Sequence, residues 1–193
     1  MIDDLHITDG TAADQARAAA LVPALRAHDL VMRDLGYVCL AALRQIANQQ
    51  AYFLSRLCKG VQGCLAANDE APSLPLVVHL QQHFPGHAVV DLDVYVDQAN
   101  TRPCRLIAYR LPDEVVAHRR RMAHEVARKK GRTPTQESLA WLQYGWYSTH
   151  VSRDVWPAAV VGTVYRLRWQ VEIYQSCHLR RTLFGQTLDS VDL

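Results

Sequence analysis

The chain has 193 residues, 49% of them hydrophobic and 21% charged, with a formal net charge of +2. That length buries a proper core and makes one domain, or one domain with an insertion. The balance is ordinary for a globular protein and says little about partners; no apolar run approaches the ~20 residues that span a bilayer. Met1-Ile2-Asp3-Asp4 has neither the basic start nor the apolar run of a signal peptide. Cys39, Cys58, Cys64, Cys104 and Cys177 form an odd, scattered set with no CxxC pair, which reads as reduced thiols in a cytosolic protein.

In chain order, Ile2 to Ile7 alternates like the end of a strand and Thr8-Asp9-Gly10 turns. Thr11 to His28 is rich in alanine and leucine and predicts a helix, kinked or divided by Pro23. Asp29 to Asp34 reads as a short buried strand ending in a carboxylate. Val38 to Asn48 follows as a helix with Cys39, Leu40, Leu43 and Ile46 inside, and Ala51 to Leu57 as the next strand. Helix, strand, helix, strand implies an α/β layer with a parallel pairing. Asp34 then falls just past the carboxyl end of a strand, where α/β sheets place their chemistry.

Gly60 to Pro75 is loop-like. Val77 to Leu80, Ala88 to Val96 and Arg105 to Leu111 are strand candidates, which suggests a small antiparallel insertion. Pro112 opens a helix to about Lys130, with Asp113 and Glu114 in its first turn and Gly131 ending it. Val115, Val116, Met122, Ala123, Val126 and Ala127 are its expected buried side. Thr135 to Leu142 is a shorter helix and Trp146 to Val151 one more strand. A last helix, capped at Ser152 or Asp154 with Pro157 in its first turn, runs to about Arg181. The segments divide as a partial core over 1–58, a β-rich and helical insertion over 59–145, and a closing strand and helix over 146–193.

On that last helix Tyr165, Arg168 and Glu172 sit at i, i+3 and i+7 and share a stripe. Val160, Val164, Leu167, Val171 and Tyr174 form the apolar stripe beside it. A carboxylate one turn from an arginine can bind a metal or a phosphate, or be a surface ion pair worth ~0.3–0.5 kcal/mol. Asp34 and Glu172 are a carboxylate pair far apart in sequence, of the kind two-metal phosphoryl chemistry uses. A strand-end aspartate is also a common turn or cap residue. Residues 112–132 hold seven basic side chains, Arg119, Arg120 and Arg121 among them, against three acidic ones. Such a helix can follow a DNA backbone or simply face solvent. The histidines show no HExxH and no paired ligand spacing, and His118 and His124 read as surface residues. No GxGxxG, GxxxxGK[ST] or GxSxG occurs. The four tryptophans read as core.

Asp34-Leu35-Gly36-Tyr37 with Ala51 to Leu57 resembles the segment around the second catalytic Asp of bacterial insertion-sequence transposases of the DDE type. Arg105 to Pro112 and the basic helix after it resemble that family's β-rich insertion. Tyr165-Arg166-Leu167-Arg168-Trp169-Gln170-Val171-Glu172 is similar to its Y-x-x-R-x-x-x-E motif. The group is the fourth insertion-sequence family of cut-and-paste transposases, and the resemblance runs from about Thr8 to about Tyr174. It implies an RNase H-like core and three carboxylates holding two Mg²⁺ (or Mn²⁺) ions, which nick the transposon end and join its 3′-hydroxyl to DNA. By carry-over Asp34 is the second metal ligand and Glu172 the third. Tyr165 and Arg168 contact DNA phosphates, and Arg119 to Arg121 help grip the transposon end. The implied partner is double-stranded DNA, with a homodimer in the intact protein, no membrane, and a bacterial cytoplasmic, nucleoid-associated location.

Two departures bear on activity. The family's first Asp lies on an earlier strand, and Asp3, Asp4 and Asp9 do not sit in its context. The Lys usually found seven residues after the Glu is Leu179 here, beside His178 and Arg180. The chain is therefore expected to be a fragment, inactive alone. The alternatives are a non-catalytic DNA-binding remnant that competes with intact transposase, and an RNase H-like nuclease with another task.

Overall fold

The computed structural model describes residues 22–33, 40–57, 59–60, 64–65, 73–96 and 102–168. Within them the strands are β1 (Leu30–Arg33), β2 (Tyr52–Arg56), β3 (Val89–Val96), β4 (Arg102–Arg110) and β5 (Tyr144–Thr149). The helices are α1 (Leu40–Asn48), α2 (Leu76–His83), α3 (Asp113–Lys129), α4 (Gln136–Trp141) and α5, described over 158–168. All five strands join one sheet in the order β1-β2-β5-β4-β3. β1 and β2 pair in parallel, as the helix-strand alternation implies, and every other pairing is antiparallel. The fold is α/β with a mixed sheet, consistent with an RNase H-like core. The segment read as an insertion supplies β3 and β4 directly to that sheet.

Side chains alternate across the strands and give the sheet two apolar faces. On one, Phe53, Val90, Val94, Cys104, Leu106, Ala108, Tyr144 and Trp146 pack under Leu43 and Ile46 of α1 and Leu76, Val77 and Leu80 of α2. On the other, Leu54 and Ile107 pack under Val161 and Tyr165 of α5. The parallel step from β1 to β2 needs a crossover, and α1 supplies it. That helix stops where Gln50 takes a left-handed φ of 56°. The N–H of Ala51 then bonds back to the Ile46 carbonyl, turning the chain into β2.

The structure corrects some of these expectations. Val77 to Leu80 is not a strand; it lies inside α2. Leu76, Val77 and Leu80 have helical spacing, and burying that edge against the sheet outweighs the β preference of the two valines. The helix also puts His79 and His83 one turn apart, so the histidines do contain a pair at ligand spacing. The second correction concerns α3. Of its expected buried side only Val116 is buried, while Val115, Met122 and Val126 are exposed. The ends of α3 behave as read: Asp113 and Glu114 start it, and Gly131, at φ 63°, closes it with Arg132 bonding back to the Ala127 carbonyl.

Pro23 lies in a short 3₁₀ turn, Val22–Ala24. Thr135 caps α4 by accepting the Ser138 N–H. Cys64 and Cys104 form no disulfide, and burial pushes the Cys104 thiol up to about 12, which keeps it protonated and inert. The readings over residues 1–21 and beyond Arg168 lie outside the described residues.

His150, just past β5, stacks on Phe53 with ring centroids 4.6 Å apart and leans on Tyr52. Burial holds it below the ordinary histidine range, partly offset by a backbone hydrogen bond with Ala51. The fold accommodates the neutral ring and the unfolded chain does not discriminate. Its contribution is therefore whole above about 6.5, and is lost as pH falls from there through the lower folded value. Urea unfolding across that window should show stability falling on acidification, with a shallower fall in His150→Phe.

Candidate nucleic-acid interface

The second face of the sheet carries Asp91, Arg105 and a row of tyrosines, and α5 lies on it. Three contacts from β4 and β5 set where α5 runs. First, Arg105 on β4 is 5% exposed, between Cys104 and Leu106. Its guanidinium donates to both Asp91 oxygens, at 2.6 and 3.3 Å, to the Val151 carbonyl at 2.5 Å and to the Trp156 carbonyl at 3.0 Å. The planar fork of arginine suits such convergent acceptors. One side chain thereby ties β3, β4 and the turn leading into α5. Arg153 from the same turn reaches Asp93 and Asp91 and adds a second, more exposed link. The Asp93 hydrogen bond is the largest influence raising Arg153 above the ordinary arginine range.

Second, the Tyr109 hydroxyl donates to the Ala158 carbonyl and accepts the Gly162 N–H at 2.8 Å. Those groups are i and i+4 partners of a helix, so the phenol bridges the ladder of the first turn. Gly162 gives the ring room, since a Cβ there would stand 3.2 Å from it. Third, Tyr165, one turn further, is 2% exposed and meets Tyr147 edge-on at 5.1 Å. Tyr147 also meets Tyr109 edge-on at 5.5 Å, making a continuous aromatic row under α5.

Arg168 follows at the end of the described helix. Its guanidinium carbon stands 5.5 Å from the centre of the Tyr165 ring, within cation–π reach. Arg56 is the register neighbour of Tyr147 across β2 and β5. Arg119 comes in from α3 with a long 3.4 Å contact to the Tyr144 carbonyl. It is held below the ordinary arginine range by burial first and by the charge of Arg56 second. Arg119 thus stands by Arg56 and Tyr147, and Arg168 by Tyr165, along one aromatic row.

The other expected residues distribute differently. Arg120 is half-buried and Arg121 exposed, because successive helical positions turn by ~100° and cannot share a direction. Tyr165 packs in the core, which makes it a support for Arg168. Asp34 and Glu172 lie outside the described residues. Among the described residues no three His, Cys, Asp or Glu side chains converge on a metal position. Sequence reasoning missed Arg56, Tyr147, Arg105, Asp91 and Arg153. The available signal was Arg105 itself, a charge at an inward position of an otherwise apolar strand.

The comparisons name the family. The model of the Transposase DDE domain matches residues 1–190, and the chain belongs to that family. It is 26% identical over 184 residues to the transposase for insertion sequence element IS231B of Bacillus thuringiensis subsp. berliner, covering 88% of this chain and 38% of that protein. It is 25% identical over 183 residues to the IS231F transposase of Bacillus thuringiensis subsp. israelensis, with the same coverage. The IS1151 transposase of Clostridium perfringens is 24% identical over 158 residues, 75% of this chain and 33% of that protein. The chain thus spans less than two fifths of the length of these relatives. No solved structure matches it.

The polar supports of α5, Arg105, Arg153 and Tyr109, differ in worth. Arg105→Ala takes the guanidinium from the Val151 and Trp156 carbonyls and leaves Asp91 with Arg153 alone, and should cost about 2–3 kcal/mol. Arg153→Ala, at an exposed pair, should cost under about 1 kcal/mol. Tyr109→Phe should cost about 1 kcal/mol, because the freed Gly162 N–H and Ala158 carbonyl can close on each other. Urea denaturation of the three variants checks the order.

Proposed function

We propose that this chain is the catalytic-core segment of an insertion-sequence transposase that cuts and joins DNA strands. The observation that carries the reading is the aromatic row under α5, with Arg168 over Tyr165 at one end and Arg119 and Arg56 by Tyr147. Family membership makes transposition the general activity and divalent metal ions the usual cofactor.

Asp34 and Glu172 would hold the metal, on the resemblance of their segments. Bound there, Mg²⁺ or Mn²⁺ supplies charge neutralisation and an activated water for phosphoryl transfer. The described residues act on the DNA itself. Arg168 and Arg119 pair with backbone phosphates, Tyr165 fixes Arg168 from below, and Arg121 extends the contact along α3. These contacts set register on the duplex and carry no sequence information. The working form in the intact protein is a homodimer. Among the described residues no helix is long and apolar enough to cross a membrane, and DNA is the partner proposed. With a first carboxylate unmatched by Asp3, Asp4 or Asp9, this chain by itself binds DNA and does not cut it.

Duplex binding should weaken steeply with salt. Arg119→Ala and Arg168→Ala should each lower the slope of log K against log salt by about 1, one phosphate contact apiece. Absent or salt-insensitive binding contradicts the interface. Mg²⁺- or Mn²⁺-dependent nicking by this chain, abolished in Glu172→Gln, contradicts the claim that it does not cut alone.

A further inference from the structure

α2 turns Leu76, Val77 and Leu80 into the core and carries two histidines away from it. His79 is half-buried and His83 exposed. Their rings lie 4.5 Å apart, centre to centre, with 39° between planes. Positions i and i+4 stack one above the other on a helix, so the backbone itself holds the rings together.

We propose that His79 and His83 form a two-histidine site for a borderline divalent transition ion such as Zn²⁺, Ni²⁺ or Cu²⁺, with water completing its shell. Imidazole nitrogens bind such an ion at about 2.0–2.1 Å, which sets them about 3.3 Å apart at tetrahedral angles. Rings 4.5 Å apart meet that separation by side-chain rotation. Phe84 lies 5.9 Å from His79, and His87 packs on Phe84, edge-on at 5.7 Å. His87 is therefore outside the pair. Burial first, and the charge of His83 second, hold His79 below the ordinary histidine range.

Imidazole selects these ions over Mg²⁺, which prefers oxygen and retains its water. The site is thus chemically distinct from the carboxylates of the proposed function. It also lies across the sheet from the described part of α5: α2 covers one face and α5 the other. A bound ion clips the last turn of α2 onto the turn before it, and so steadies the layer over that face. Failure here leaves the DNA-handling reading untouched, since the two share no residue.

The test is calorimetric titration of the untagged 193-residue chain with Zn²⁺ and Cu²⁺ near neutral pH, with excess Mg²⁺ present to occupy carboxylate sites. The expected result is one ion per chain, bound more tightly for Cu²⁺. His79→Gln and His83→Gln should each bring the affinity down to that of the double variant, and His87→Gln should leave it unchanged. At a hundred times the dissociation constant the ion should raise the folded-to-unfolded ratio about 100-fold in the parent and leave both single variants unmoved. Circular dichroism of the metal-free variants checks that they keep the helix. Absence of binding, binding that survives both single substitutions in folded protein, or displacement by Mg²⁺ overturns the proposal.

Discussion

Arg105 is the side chain through which the sheet decides where α5 begins. Its guanidinium is bound to Asp91 on the neighbouring strand and to the Val151 and Trp156 carbonyls of the turn that follows β5. An arginine buried this deeply is tolerable because its charge is neutralised and its donors are spent on fixed acceptors. The strand register then does the rest. Arg105, Ile107 and Tyr109 are alternate residues of β4 and point to one face. Arg105 holds the approach to the helix, Ile107 underlies it, and Tyr109 bridges its first turn. Tyr147, opposite Ile107 on β5, takes Tyr165 one turn later. Arg168 is delivered beside Tyr165 as a consequence of that series.

The same geometry explains why the cations gather where they do. β2, β5 and β4 run side by side, so Arg56, Tyr147 and Ile107 form one row across three strands. Arg119 enters above that row from the early part of α3, the part anchored by Val116, while the later turns of α3 expose Met122 and Val126. Burial and Arg56 both disfavour the charged form of Arg119. An anion placed between the two arginines acts against both effects. A phosphate backbone is such an anion, and the aromatic row beneath gives the surrounding guanidiniums a fixed platform rather than a flexible one.

Much of this was legible in the sequence, and the limits are physical. β1, α1, β2, β3, β4, α3 and α4 follow from periodicity, caps and turn residues, and the parallel pairing follows from the alternation of helix and strand. Val77 to Leu80 misled because four residues with two valines fit either period, and only packing against the sheet chooses between them. The apolar residues of α3 misled because amphipathicity names a face without guaranteeing something to cover it. For the candidate interface, the stretch from Tyr165 to Glu172 points to the helix whose described part, to Arg168, lies over the aromatic row. Arg105, Asp91 and Tyr147 stayed unmarked because their partners lie on strands that are not consecutive in the chain. Register across such strands is not written in any local pattern. The spacing of His79 and His83 was hidden by the strand reading, since those positions lie ~13 Å apart on an extended chain.

The proposed catalytic role requires Asp34 and Glu172 to hold one metal cluster together. Anomalous diffraction from crystals of this chain soaked in Mn²⁺ tests it most directly. The expected result is an Mn²⁺ peak ligated by both Asp34 and Glu172, lost in Glu172→Gln crystals. Carboxylates too far apart to share an ion or a pair of ions ~3.5–4 Å apart would contradict it.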